Sequence, residues 1–298
     1  MPADPAAPPP PSAAEAEEVS AFGHAPVPAD ATVRYGDQER QLVDFYRPRA
    51  SRDGDPRPAP LVAVLHGGAW RARFDRQHAT PFADFLARRG FAVANVEYRR
   101  GGDTERPGTT PPAGRWPDTF EDVAAALDAL PDLVRAALPG ADPRRTVLTG
   151  HSAGGHLALW AAARHVLPAG SPWRTPGPAP LRGVVALAPI ADFAVAEQLD
   201  VCENASLQLL GGSEHFEERR PYADPVLLLP TGIATTVVQG RADLVVPPPV
   251  AESYADAAAR AGELVGLTLL ADVGHFPLID PAADACAVVA EEIAQLAW

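Results

Sequence analysis

Ser152 has the surroundings that most suggest chemistry. It lies in Gly150-His151-Ser152-Ala153-Gly154-Gly155, after a short apolar run at 146–149 and before Leu157, Trp160 and Ala161 at helical spacing. That pattern reads as strand, sharp turn and helix, with the serine on the turn. Glycines at 150 and 154 let the backbone strain and let strand and helix approach closely. A hydroxyl at a helix N-terminus faces the helix dipole and free N–H groups, which favour developing negative charge. The chemistry this arrangement suits is nucleophilic attack by the serine.

A serine hydroxyl is a weak nucleophile by itself and needs a base, which a third group must orient. Two downstream strand-end loops carry the required types. Residues 265–270 read as the last strand, and Ala271-Asp272-Val273-Gly274-His275-Phe276 follows it. His275 is the candidate base. Its rivals are His24, His66, His78, His151, His156, His165 and His215, and the side chain of His151 is expected to point away from the pocket. Residues 233–238 read as the preceding strand, ending in Gln239-Gly240-Arg241-Ala242-Asp243. Asp243 is the candidate third member, on a loop stiffened by prolines at 247–249, and Asp192 is its rival. A developing oxyanion needs two backbone N–H groups. Ala153 would supply one. Gly67 or Gly68, in His66-Gly67-Gly68-Ala69-Trp70, would supply the other, with the Ala69 N–H as a further contributor.

These residues require elements that bring four loops to one place. Runs at 61–65, 91–96, 146–149, 183–187, 233–238 and 265–270 read as strands, and residues 32–35 and 42–46 as an edge hairpin. Helical patterns at 81–89, from 116, from 153, at 249–261 and at 281–296 alternate with them. Such alternation predicts an α/β fold: a mostly parallel central sheet flanked by helices on both faces. Ligand sites then lie outside the carboxyl ends of the strands, and each candidate follows directly on a strand. Residues 192–230 break the alternation and are expected to form a small cap. Residues 1–30 are Pro/Ala-rich and acidic, and are expected to be a disordered tail preceding a single domain at 31–298.

Composition excludes several function classes. A formal net charge of −13 argues against nucleic acid or an anionic membrane as partner. All 25 basic residues are arginine, so there is no Schiff-base lysine, no pyridoxal attachment and no phosphate-loop lysine. Cys202 and Cys286 lie far apart and form no metal-type cluster. No metal or cofactor is expected. No apolar run approaches membrane-spanning length. The first thirty residues lack the basic and apolar regions of a secretory signal, so the expected location is cytoplasmic.

Together, His66-Gly67-Gly68-Ala69-Trp70, Gly150-His151-Ser152-Ala153-Gly154-Gly155-His156-Leu157, Gln239-Gly240-Arg241-Ala242-Asp243 and Gly274-His275-Phe276 resemble the α/β-hydrolase superfamily. The resemblance covers residues 33–298. The H-G-G-x-W and G-H-S-A-G forms are similar to the esterase/lipase branch that includes kynurenine formamidases. Ala69 stands where hormone-sensitive-lipase-like esterases carry a third glycine. The resemblance implies acyl transfer to water without metal or cofactor: Ser152 attacks, His275 takes the proton, and Asp243 orients the imidazole. Its partner would be a small-molecule ester or amide. The readings are a small carboxylic ester or amide hydrolase, an arylformamidase acting on N-formylkynurenine, or a non-catalytic binding protein on the same fold. The last would need a broken triad, and all three residues are present. Trp70, Phe74, Trp116, Phe193 and Phe276 are the expected aromatic walls. Arg71, Arg99 and Arg100 read first as solvated surface arginines, with a contact to a substrate carboxylate as the other reading.

Overall fold

Residues 61–65 are apolar at every position because both faces of their strand are covered. Leu61, Ala63 and Leu65 pack on one side of the sheet, and Val62 and Val64 on the other. The computed structural model describes residues 11–49, 58–102 and 113–298. Its elements in chain order are α1 (Ala13–Phe22), β1 (Ala31–Arg34), β2 (Leu42–Tyr46), β3 (Ala59–Leu65), α2 (Thr80–Arg88), β4 (Ala92–Val96), α3 (Asp118–Ala137), β5 (Ala141–His151), α4 (Ala153–Ala162) and β6 (Leu181–Leu187). There follow α5 (Phe193–Gln198), α6 (Ala205–Leu209), α7 (Ser213–Arg219), β7 (Thr235–Gly240), α8 (Pro248–Arg260), β8 (Val265–Leu270) and α9 (Asp284–Ala297).

The strands form one sheet in the order β1-β2-β4-β3-β5-β6-β7-β8. β1 and β2 pair antiparallel at one edge, and β2 pairs antiparallel with β4. From β4 through β8 every pairing is parallel. The predicted α/β class and mostly parallel sheet are therefore what forms. One face is covered by α3, α4 and α8 through Phe120, Val123, Leu157, Trp160 and Tyr254. The other is covered by α2 and α9 through Phe82, Leu86, Val289 and Ile293. The strand expected at 233–238 lies two residues later. α3 continues through Pro131, whose lost hydrogen bond and ring are tolerated within a helix of twenty residues.

The expected disordered tail needs correction over its described part; residues 1–10 lie outside the described residues. Residues 13–22 form α1, and the reason is local. Ser12 Oγ accepts from the Glu15 amide (3.3 Å), and Glu15 Oε2 accepts from the Ser12 amide (2.7 Å), a reciprocal capping box. Phe22 then docks its ring on Phe74, His78 and Phe276, so the helix packs onto the domain. The residues between β6 and β7 form α5, α6, α7 and two short 3-10 turns. No helix among the described residues is long and apolar enough to cross a membrane.

Candidate active site

β5 runs to His151, and Ser152 follows at φ +57°, ψ −118° before α4 begins. A non-glycine residue there costs of order 1–3 kcal/mol, and surrounding structure must impose it. Three contacts do so. The Ser152 amide donates to Leu187 O of the neighbouring β6 (2.8 Å). A Cβ at Gly150 would meet Leu65 O at 2.7 Å, and one at Gly154 would overlap the same carbonyl. Only glycine lets the turn lie against the end of β3.

Ser152 and His275 open onto the same cavity of about 950 Å³, and no hydrogen bond leaves Ser152 Oγ among the described residues. Without a bound substrate, such contacts are commonly long and tighten only in the complex. His275 Nδ1 donates to Asp243 Oδ2 at 2.6 Å, with both side chains buried. Asp243 is itself held from all sides. Its Oδ1 accepts from the amides of Val245 (2.8 Å) and Val246 (2.9 Å), and its Oδ2 from Gln239 Nε2 (3.1 Å). Ser152, His275 and Asp243 thus lie at the ends of β5, β8 and β7 respectively. Asp192, the rival acid, is engaged elsewhere. It caps α5 through the Ala194 and Val195 amides and accepts from Ser253 Oγ at 2.6 Å.

The loop after β3 turns back through positive φ at Gly68 (+103°), Ala69 (+51°) and Trp70 (+53°). A Cβ at Gly68 would overlap the ring of Phe74, so this position needs glycine for both space and dihedral. Gly68 and Ala69 line the cavity beside Ser152, whereas Gly67 does not, and a Cβ on Gly67 would meet His151 O at 2.7 Å. The amides of Gly68, Ala69 and Ala153 have no protein acceptor among the described residues. Beneath the loop lies a buried polar cluster. The His66 ring nitrogens face Gly67 O (2.9 Å) and Glu97 Oε1 (3.0 Å), and its ring stacks on Tyr98 at 4.3 Å. Arg100 Nη1 also donates to Glu97 Oε1 (2.6 Å), and the Arg76 amide to Glu97 Oε2 (3.1 Å). Burial alone would push the Glu97 carboxyl up. The neighbouring His66 and Arg100, with these hydrogen bonds, outweigh it and hold Glu97 at about 2.

Of the five expected aromatic walls, Phe74 and Phe276 line the cavity. Trp70, Trp116 and Phe193 do not. Trp70 and Phe193 are fully buried, Trp70 edge-on to His156 at 5.0 Å and Phe193 stacked on the same ring at 4.8 Å. Trp116 packs on Phe120 and Trp173, with the Arg219 guanidinium over its ring. All three serve packing because the loops carrying them turn those side chains toward the core beside α4. The arginines read as solvated face protein carboxylates instead: Arg71, which lines the cavity, pairs with Glu203, Arg99 with Asp122, and the buried Arg100 with Glu97.

Several cavity-lining residues escaped the sequence reading. His151 lines the cavity instead of pointing away: its Nε2 donates to His275 O (3.0 Å), and its ring lies 4.2 Å from that of His275. Burial, with His275 alongside, holds His151 well below the ordinary histidine range, hence neutral. Glu18 and Phe22 of α1 line the cavity, as do Cys202 and Glu203 from between α5 and α6. The charged Glu97-Tyr98-Arg99-Arg100, directly at the end of a fully buried strand, was the signal for the cluster under the loop.

Comparison with known proteins follows the same lines. A carbohydrate esterase from gut microbiota superposes with a TM-score of 0.66, at 19% identity over 91% of this chain and 99% of its own. An esterase from Thermogutta terrifontis gives 0.64, at 22% identity over 90% and 93%. At those identities the likeness is one of fold. In sequence, a probable isoprenylcysteine alpha-carbonyl methylesterase of Oryza sativa subsp. japonica is 35% identical over 131 residues, 44% of this chain and 27% of the relative. A probable carboxylic ester hydrolase of Mycobacterium tuberculosis, LipM, is 33% identical over 137 residues, 45% of this chain and 28% of the relative. The matches therefore span little more than a quarter of those relatives. A family model described as BD-FAE matches residues 43–257, more than half of the chain and all of the sheet from β2 to β7. On that match and the fold beneath it, the chain belongs to the BD-FAE family, in the esterase/lipase branch of the α/β-hydrolase superfamily.

Proposed function

We propose that this protein is a serine hydrolase of small carboxylic esters. The observation that carries the reading is the 2.6 Å bond from His275 Nδ1 to a buried, fully engaged Asp243, in a cavity shared with Ser152. With Nδ1–H held by Asp243, Nε2 is the lone-pair nitrogen and accepts the Ser152 proton as Oγ attacks the ester carbonyl. The oxyanion forms against the free amides of Ala153 and Gly68, with Ala69 adjacent. Collapse expels the alcohol, protonated by His275. Water then attacks the acyl-enzyme with His275 again as base, releasing the acid and restoring Ser152. The strain at Ser152 and the mild barrier of ester cleavage suit a rigid, pre-organised site.

Residues 192–230 act as a small cap, contributing Cys202 and Glu203 to the cavity wall. Ester hydrolysis is favoured over N-formylkynurenine cleavage because Arg71, Arg99 and Arg100 already face protein carboxylates. The names of the sequence relatives, both ester hydrolases, support the same choice. The test is one enzyme preparation against p-nitrophenyl acetate, p-nitrophenyl butyrate and N-formylkynurenine. Ester turnover should be lost by at least about 10³-fold in Ser152→Ala, and the formyl anilide should be cleaved far more slowly than either ester. Ester turnover unaltered in Ser152→Ala would refute the nucleophile, and preferential cleavage of N-formylkynurenine would refute the substrate class.

A further inference from the structure

α1 reaches the base turn through a single carboxylate. Glu17 Oε1 accepts from the amide of Gly274, the residue before His275, at 3.0 Å. A Cβ on Gly274 would occupy the space of that carboxylate, so glycine there is what admits the contact. The helix is also fastened beyond the turn. Ser20 Oγ and His24 Nε2 donate to the two oxygens of the buried Asp280, at 2.5 and 2.7 Å. Between these anchors Phe22 packs edge-on against Phe276 at 5.2 Å. From the opposite side, the neutral His151 donates to His275 O at 3.0 Å. The His275 backbone is thus gripped on both flanks, by Glu17 through the preceding amide and by His151 through its own carbonyl.

We propose that Glu17 is a positioning residue for the reaction: by holding the Gly274 amide, it fixes the backbone from which the His275 imidazole reaches toward Ser152. This rests on the reading of His275 as the base. The contact reaches from the first described helix to a turn 257 positions later, and α1 is thereby part of the active site. A misplaced base costs rate more than binding, because the substrate still enters the same cavity while the proton transfer loses alignment.

The test uses the full-length chain as Glu17→Ala and Glu17→Gln, with p-nitrophenyl acetate as substrate and ¹⁵N-labelled protein for the Gly274 amide. In Glu17→Ala, kcat should fall about tenfold with KM changed less than about twofold. The Gly274 amide proton should move upfield and exchange faster, as an N–H does on losing a charged acceptor. Glu17→Gln keeps a side-chain oxygen as acceptor and should restore at least half of kcat. Thermal midpoints of both variants should stay within about 3 °C of the parent. An unshifted Gly274 amide, an unchanged kcat in Glu17→Ala, a Gln variant as slow as the Ala variant, or a loss that merely follows the unfolded fraction would each overturn the proposal. Failure of the triad reading looks different: Ser152→Ala keeps its turnover, while the Gly274 resonance still reports whether Glu17 holds the turn.

Discussion

Asp243 does more than accept one hydrogen bond, and its other partners decide what a conservative change there would do. Two backbone amides hold Oδ1, while His275 and Gln239 hold Oδ2. In Asp243→Asn the amide oxygen is captured by the Val245 and Val246 N–H groups, so the NH2 must face His275. His275 Nδ1 then becomes the acceptor, its proton moves to Nε2, and the ring presents a donor to Ser152 where a base is needed. The expected loss is about 10³- to 10⁴-fold in kcat, with KM little changed and the fold intact. Steady-state kinetics with p-nitrophenyl acetate and a thermal melt check both parts. A variant within tenfold of wild type would show that tautomer control by Asp243 is not part of the mechanism. The loop after β3 follows the same logic of constraint, since Gly68 meets both a positive φ and the Phe74 ring.

The elements show what could be read from the chain and what could not. Strands β3 to β8 announce themselves as short apolar runs, and β3, β5, β7 and β8 lead directly into the loops that carry Gly68, Ser152, Asp243 and His275. The strand-end positions of Ser152, Asp243 and His275 were legible because strand runs and residue order are local properties. The aromatic walls were not. Trp70, Trp116 and Phe193 have the same composition signal as Phe74 and Phe276, but side-chain direction is set by loop dihedrals and by packing on α4. His151 was misread for a similar reason: a turn strained at Ser152 swings its neighbour toward the cavity rim. α1 carries a readable start signal in Ser12-Ala13-Ala14-Glu15, which the surrounding proline and alanine content obscured. Nothing local in that helix says that it docks on the His275 turn. That knowledge lies in Glu17, Ser20 and His24 finding partners some 257 residues away.

The whole molecule couples its stability to pH through groups buried around the site. His156 is fully buried and His151 nearly so, and burial holds His156 at about 3 and His151 well below its ordinary 6.5. The unfolded chain takes up those protons near 6.5 while the native state refuses them. The contribution of these two rings is therefore complete above 6.5 and is lost as pH drops from 6.5 toward 3. His78, which burial also holds at about 3, adds to this loss, while Asp224, which burial raises to about 7, opposes it by favouring the native state as pH falls below 7. Glu97 acts in the same direction as the histidines at lower pH. Its contribution is complete above its ordinary 4.5 and is lost as pH falls toward 2. Thermal midpoints across pH 7.5 to 5 should fall by several degrees below 6.5, and a flat profile would contradict the neutral burial of these histidines.

A single serine at positive φ, held by Leu187 and sharing a cavity with the Asp243-bound His275, is the centre of this account. Diethyl p-nitrophenyl phosphate reads it directly, because phosphorylation requires an activated nucleophile but no particular acyl pocket. Incubation with the full-length protein should release about one equivalent of p-nitrophenolate per chain. Peptide mapping should place the diethylphosphoryl group on Ser152, with no label in Ser152→Ala. A label on any other residue, or equal labelling of the Ser152→Ala protein, would contradict Ser152 as the nucleophile.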